Sequence, residues 1–139
     1  AMIGKFQCRG YQGNQTTVDI LIKLQGDYDI GVHQIRIIAN DTYMGKPAPE
    51  GIHQDGFDYL CVFCVNLDNA TGGDSLLVDL KDHANLLVDL ALKPGEMLLF
   101  NDRLFAHYAS PIMPKLPGEA RRDVFVMTFK KRNQEESCG

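Results

Sequence analysis

The chain has no tryptophan, only four cysteines, no long apolar run and no excess of basic charge. No run approaches the roughly 20 apolar residues that cross a bilayer as a helix, so a membrane-spanning helix is excluded. The formal net charge is −4, which leaves nucleic acid and anionic membrane surfaces without an electrostatic attraction. Ala1 to Gly10 lacks a basic stretch followed by an apolar core, so no signal peptide is expected and the reading is cytoplasmic. Of the cysteines, Cys61 and Cys64 lie three apart in one apolar run, with Cys8 and Cys138 near the two ends. If that run is a strand, odd spacing sends the two thiols to opposite faces, a poor geometry for a disulfide or a shared metal. Buried free thiols in a reducing compartment are the expectation. Repeats and low-complexity segments are missing, and helical periodicity is scarce.

What is present is β from end to end. At 139 residues the chain is of single-domain size and can bury roughly two-thirds of its unfolded surface. Thr17 to Leu24 and Ile30 to Ala39 alternate and are rich in β-branched residues. Asn40 to Glu50 breaks the pattern with Gly45, Pro47 and Pro49. A short extended piece, Ile52 to Asp55, runs into the Asp55-Gly56 turn signal. Tyr59 to Leu67 is the most hydrophobic strand, and Asp68 to Asp74 is a loop before a strand at Ser75 to Leu80. Lys81 to Leu92 fits either a helical turn or a loop and strand. Met97 to Asn101, His107 to Ile112 and Asp123 to Phe129 complete the set, with a proline-rich loop from Pro111 to Gly118. Some eight short strands with regular turn signals predict an all-β sandwich or barrel, a class whose jelly rolls, the double-stranded β-helix of the cupins among them, often enclose a site. Residues 1–129 form that domain and 130–139 a polar tail.

His53 and Asp55 are one residue apart at a strand end, so alternation puts imidazole and carboxylate on one face. His107, on a later strand, supplies a third ligand. Two histidines and one carboxylate leave three positions of an octahedron open, the arrangement of non-haem Fe(II) oxygenases. Those positions take a bidentate keto acid and dioxygen. Taken alone, His53 and Asp55 read first as a capping pair at a turn. Gly51 and Gly56 flank them and let the backbone bend close to a site. Arg121 and Arg122 open the last strand. The keto acid 2-oxoglutarate has a distal carboxylate, and a planar, always-charged guanidinium is its natural partner. Arg122 shares a face with Val124, Val126 and Thr128, while the opposite face carries the bulkier Phe125, Met127 and Phe129. Arg122 is therefore expected inward and Arg121 outward.

The stretch from Pro47 through His53, Gln54 and Asp55 to Gly56 resembles the metal-binding signature of a 2-oxoglutarate/Fe(II) dioxygenase family. That family includes bacterial L-isoleucine 4-hydroxylases. The likeness continues through Asn66, Thr71-Gly72-Gly73, Phe100-Asn101-Asp102-Arg103, His107 and Pro111 to Arg122-Asp123-Val124. The resemblance implies His53, Asp55 and His107 as iron ligands and Arg122 as the 2-oxoglutarate arginine. It also implies hydroxylation or sulfoxidation of a free aliphatic L-amino acid, with release of succinate and CO2. Family members carry an amino-terminal helical portion of which little is present here, so a longer parent is expected.

Gln34 and Arg36 share a strand face. They read either as a solvated face or as cavity-lining contacts for a substrate carboxylate. His33 reads as an edge or satisfied histidine, and His83 as a loop residue. Asn101, Asp102 and Arg103 are expected to position the strand of His107. Two other classes fit parts of the pattern. A cupin-like metal-binding module needs no inward arginine. A zinc hydrolase needs a base beside the metal, for which Glu50 is the nearby acid.

Overall fold

The computed structural model describes residues 3–7 and 26–133. The strand expected at Thr17 to Leu24, Cys8 and Cys138 lie outside the described residues. Ten strands follow in order: β1 (Ile3–Gln7), β2 (Tyr28–Ala39), β3 (Tyr59–Asp68), β4 (Ala70–Gly72), β5 (Ser75–Asp79), β6 (Leu86–Leu90), β7 (Glu96–Asn101), β8 (Phe105–Ala109), β9 (Ile112–Pro114) and β10 (Ala120–Lys131). The described residues contain no helix. All pairings are antiparallel, in a five-stranded sheet ordered β1-β7-β3-β10-β2, a three-stranded sheet β6-β5-β8 and a small pair β4-β9. This is the jelly roll that the alternation pattern predicts.

The two larger sheets close on a core of Leu60, Cys64, Leu77, Leu92, Leu98, Phe100 and Phe105. Truncating Leu60 or Leu77, each at most 1 % exposed, would cost about 2–5 kcal/mol through lost burial and a residual cavity. The outer face of the large sheet has its own cluster of Tyr59, Cys61 and Leu99, against which Tyr28, Met97, Met127 and Phe129 pack. Cys61 and Cys64 thus sit on opposite faces, as their spacing requires, and both are free.

One irregularity bears on the site. Asp123 pairs with Asn66 but Val124 pairs with Cys64, so β3 carries an extra residue, Val65, which is exposed. The bulge switches the phase of β3. Leu67, opposite Arg122, and Cys64, opposite Val124, therefore both face inward although they are three apart.

Several boundaries differ from the sequence reading. The stretch expected as one strand at His107 to Ile112 is two: β8 ends before Ser110-Pro111, because proline brings no N–H to the ladder, and β9 begins inside the expected loop. The loop at Asp68 to Asp74 contains β4, which pairs with β9. Lys81 to Leu92 resolves into turns and β6. The last strand runs on to Lys131, where Asp58 accepts the Lys131 N–H at 2.8 Å.

Candidate metal centre

His53 belongs to no strand, yet its backbone pairs with β8. Its N–H donates to the His107 carbonyl at 3.0 Å, and the His107 N–H donates back at 2.8 Å. A directly opposed antiparallel pair points its side chains to the same side. The two rings accordingly lie 4.3 Å apart between centroids. Asp55, two residues further on, joins them: Oδ1 is 3.3 Å from His53 Nε2, and Oδ2 is 3.4 Å from His107 Nε2. One ligand atom from each residue lies within 4.8 Å of the others. Gly51 and Gly56 both adopt φ +83°, and nothing crowds either position, so the backbone angle is what calls for glycine.

Both imidazoles present Nε2 to the common point. His53 Nδ1 lies 2.8 Å from the Gly51 carbonyl, which accepts its proton and leaves Nε2 free. His107 Nδ1 faces Asp102 Oδ1 at 3.4 Å. Asp102 is fully buried, and its Oδ2 accepts the backbone N–H groups of Asp55, Gly56 and Phe57 at 3.1, 2.7 and 3.0 Å. Burial tends to raise its pKa, but the contact with His107 and the N–H groups of Phe57 and Gly56 outweigh it and hold the carboxyl below the ordinary range. Glu50 stands at the exposed lip, with Oε1 3.1 Å from His53 Nε2.

The triad opens into a cavity of about 200 Å3. Ile35, Ile37, Val62, Leu77, Val124 and Val126 form its apolar wall, and Arg122 lies across it. Arg122 is 3 % exposed, and its Nη2 has no hydrogen-bond partner among the described residues. Burial lowers its pKa from the ordinary guanidinium value, opposed by Cys64 and Asp74, and the group stays charged. Gly73 makes the room: a β-carbon there would stand 2.7 Å from Arg122 Cδ and 2.9 Å from Nε. Arg121 points out and pairs with Glu119.

Gln34 and Arg36 are the correction. The register pairs Arg36 with Asp123 and Gln34 with Phe125, which puts both on the face opposite Arg122, away from the cavity. Arg36 is held there by two hydrogen bonds to the Asp123 carboxylate, at 2.7 and 3.0 Å. Ile35 and Ile37, their neighbours, face the site instead. His33 and His83 are exposed and apart from the triad. Ser75 and Tyr108 also line the cavity, and no pattern in the sequence singles them out. Of the three residues expected to position the His107 strand, Asp102 faces His107, while Asn101 at the end of β7 accepts the Arg103 N–H and Arg103 pairs with Asp58.

The donor set fits one small divalent ion. Nitrogen and oxygen ligands about 2.1 Å from an ion at right angles stand about 3 Å apart, close to the 3.3 and 3.4 Å separations seen. Nitrogen and carboxylate ligands, three in number, suit Fe(II) with open positions. The buried, unpartnered Arg122 nitrogen fits the carboxylate of a co-substrate in the same cavity.

Fold and candidate site together define a jelly roll carrying two histidines and one carboxylate in metal-ligand range, and comparison with known proteins gives the family. The family model described as 2OG-Fe dioxygenase matches residues 10–128, and the chain belongs to that family, whose members work with Fe(II), 2-oxoglutarate and dioxygen. An L-isoleucine-4-hydroxylase of Bacillus thuringiensis is 31 % identical over 110 residues, covering 78 % of this chain and 45 % of the relative. A 3(1)-hydroxy-L-isoleucine 4-dioxygenase of Pantoea ananatis is 27 % identical over 111 residues, covering 78 % and 44 %. The crystal structure of a bsmA homolog from Methylobium petroleophilum superposes with a TM-score of 0.69 at 27 % identity, covering 84 % of this chain and 48 % of that one. The chain spans less than half the length of these relatives.

Proposed function

We propose that this chain is the catalytic jelly roll of an Fe(II)- and 2-oxoglutarate-dependent oxygenase that hydroxylates or sulfoxidises a small substrate, a free aliphatic L-amino acid. The observation that carries the reading is Arg122, a buried cation that lines the same cavity as the triad and has one nitrogen unpaired among the described residues. Neither a zinc hydrolase nor a metal-storing module has a task for it. His53, Asp55 and His107 hold the iron, and Arg122 takes the distal carboxylate of 2-oxoglutarate. When bound, iron, co-substrate and dioxygen together supply the oxidising chemistry, which yields succinate, CO2 and an oxygenated substrate. The chain's own residues bind, orient and exclude water. No general base is required of them.

The apolar wall keeps water from the reacting centre and offers a slot for an aliphatic side chain. A cavity of about 200 Å3 lies below the roughly 300–1,000 Å3 of sites for drug-sized ligands, which suits a small metabolite. With Gln34 and Arg36 on the outer face, the polar end of the substrate falls to other groups of the lining, among them Glu50 and Tyr108. The names of the two isoleucine-hydroxylating relatives support the amino-acid class. The free thiols Cys61 and Cys64 suit a reducing cytoplasm.

Anaerobic titration of the Fe(II)-loaded chain with 2-oxoglutarate should raise the weak visible metal-to-ligand charge-transfer band. Its absence, with iron bound, would remove the co-substrate assignment. Succinate release should then rise on a panel of free amino acids. If a peptide or an unrelated metabolite raises turnover and no amino acid does, the substrate assignment fails while the oxygenase stands.

A further inference from the structure

Asp102 touches both arms of the triad. One carboxylate oxygen gathers the N–H groups of Asp55, Gly56 and Phe57, the turn that carries the carboxylate ligand. The other faces His107 Nδ1 at 3.4 Å, and each of these two buried atoms is without a hydrogen-bond partner among the described residues, so the only polar group each one meets is the other. The backbone of Asp102 continues the clamp. Its carbonyl accepts from Gln54 Nε2 at 2.7 Å, and its N–H donates to the Asp58 carbonyl at 3.2 Å. Residues 54 to 58 therefore wrap around one fully buried side chain that precedes β8, the strand of His107.

We infer that Asp102 is the positioning residue of the metal centre. It locks His107 in the tautomer that carries its proton on Nδ1 and offers Nε2 to the metal. At the same time it holds the Asp55 turn at the distance from β8 that brings carboxylate and imidazole together. His53 has the Gly51 carbonyl for the same task. A carbonyl moves with the local backbone, whereas the Asp102 carboxylate ties two separate segments, so the spacing of the ligands depends on it. The inference rests on His53, Asp55 and His107 as the metal ligands.

Asp102→Asn keeps the shape and one oxygen for the three N–H groups but turns an NH2 toward His107 Nδ1. The variant should fold, with its far-UV spectrum retained. Its affinity for Fe(II), and for Co(II) as a spectroscopic probe, should fall about 10- to 100-fold, with a changed Co(II) ligand-field spectrum. Asp102→Glu should not restore either, because the longer arm displaces the turn. Wild-type metal affinity and an unchanged Co(II) spectrum in folded Asp102→Asn would overturn the inference. A second readout needs no variant and no metal. Nitrogen-detected NMR of the wild-type imidazoles should find His107 protonated on Nδ1, and a neutral ring with its proton on Nε2 and none on Nδ1 would equally overturn it. Failure of the wild-type chain to bind metal counts against the ligand assignment itself and leaves the tautomer measurement to decide on Asp102.

Discussion

Replacing Arg122 with methionine is the most informative perturbation of the site. The substitution keeps an unbranched stem against Gly73 and removes the guanidinium, which lies 3 % exposed with one nitrogen unpartnered. Truncating one partner of a buried charge pair costs about 2–5 kcal/mol of binding. At 1.4 kcal/mol per tenfold, 2-oxoglutarate affinity should fall by roughly 30-fold to a few thousand-fold. Calorimetric titration of the Fe(II)-loaded protein under anaerobic conditions reads that loss, and iron stoichiometry should stay at the wild-type level. Stability should move the other way or not at all. A buried charge without full compensation is costly, and an apolar replacement of similar volume is neutral or stabilising by up to about 4 kcal/mol. The melting temperature of the apo protein should therefore hold or rise. Two companions sharpen the test. Gly73→Ala drives a β-carbon to 2.7 Å from Arg122 Cδ at a φ of +70° and should weaken 2-oxoglutarate while sparing iron. Arg121→Ala removes only a surface ion pair, worth about 0–1 kcal/mol, and should leave co-substrate affinity unchanged. Wild-type 2-oxoglutarate affinity in Arg122→Met, or a larger loss in Arg121→Ala, would refute the reasoning.

Replacing His53, Asp55 or His107 by alanine should abolish most Fe(II) binding with the fold retained, since two ligands hold the ion poorly; full iron occupancy in all three variants counts against the centre. Arg36→Ala should change stability by no more than about 1 kcal/mol and leave every kinetic constant in place, because its partner Asp123 lies on the outer face; a raised substrate KM would return Arg36 to the site. Asp58 has a pKa held below the ordinary range, with burial pushing up and the Lys131 N–H and Arg103 pulling down more strongly. Its contribution is therefore present above the unfolded carboxylate pKa of about 3.9 and lost as pH falls through the lower folded value. Asp58→Asn should be less stable than wild type by about 1 kcal/mol at neutral pH, with the gap closing in acid; denaturant titrations at pH 7 and pH 3 compare the two.

The alternation of Ile30 to Ala39, the apolar run at Tyr59 and the last strand were legible because period-two patterning is a local property of the chain. The opposite faces of Cys61 and Cys64, and of Arg121 and Arg122, followed from parity alone. For Gln34 and Arg36, parity left the face open. They alternate with Ile35 and Ile37, and only the pairing of β2 with β10 shows which set shares a face with Arg122. The break between β8 and β9 and the short strand β4 escaped notice because three-residue strands pair on tertiary cues, with Gly72 packed against the Pro111 carbonyl.

By itself, the sequence determined an all-β chain, an HxD pair with a distant histidine and an inward arginine on the last strand. Each follows from residue chemistry and alternation, which need no partner strand. Tertiary structure alone decided the bulge at Val65, the opposition of His53 to His107, and the use of Asp102 as the link between them. These depend on which segments far apart in the chain become neighbours. A buried carboxylate declares its role only when the groups that surround it are known.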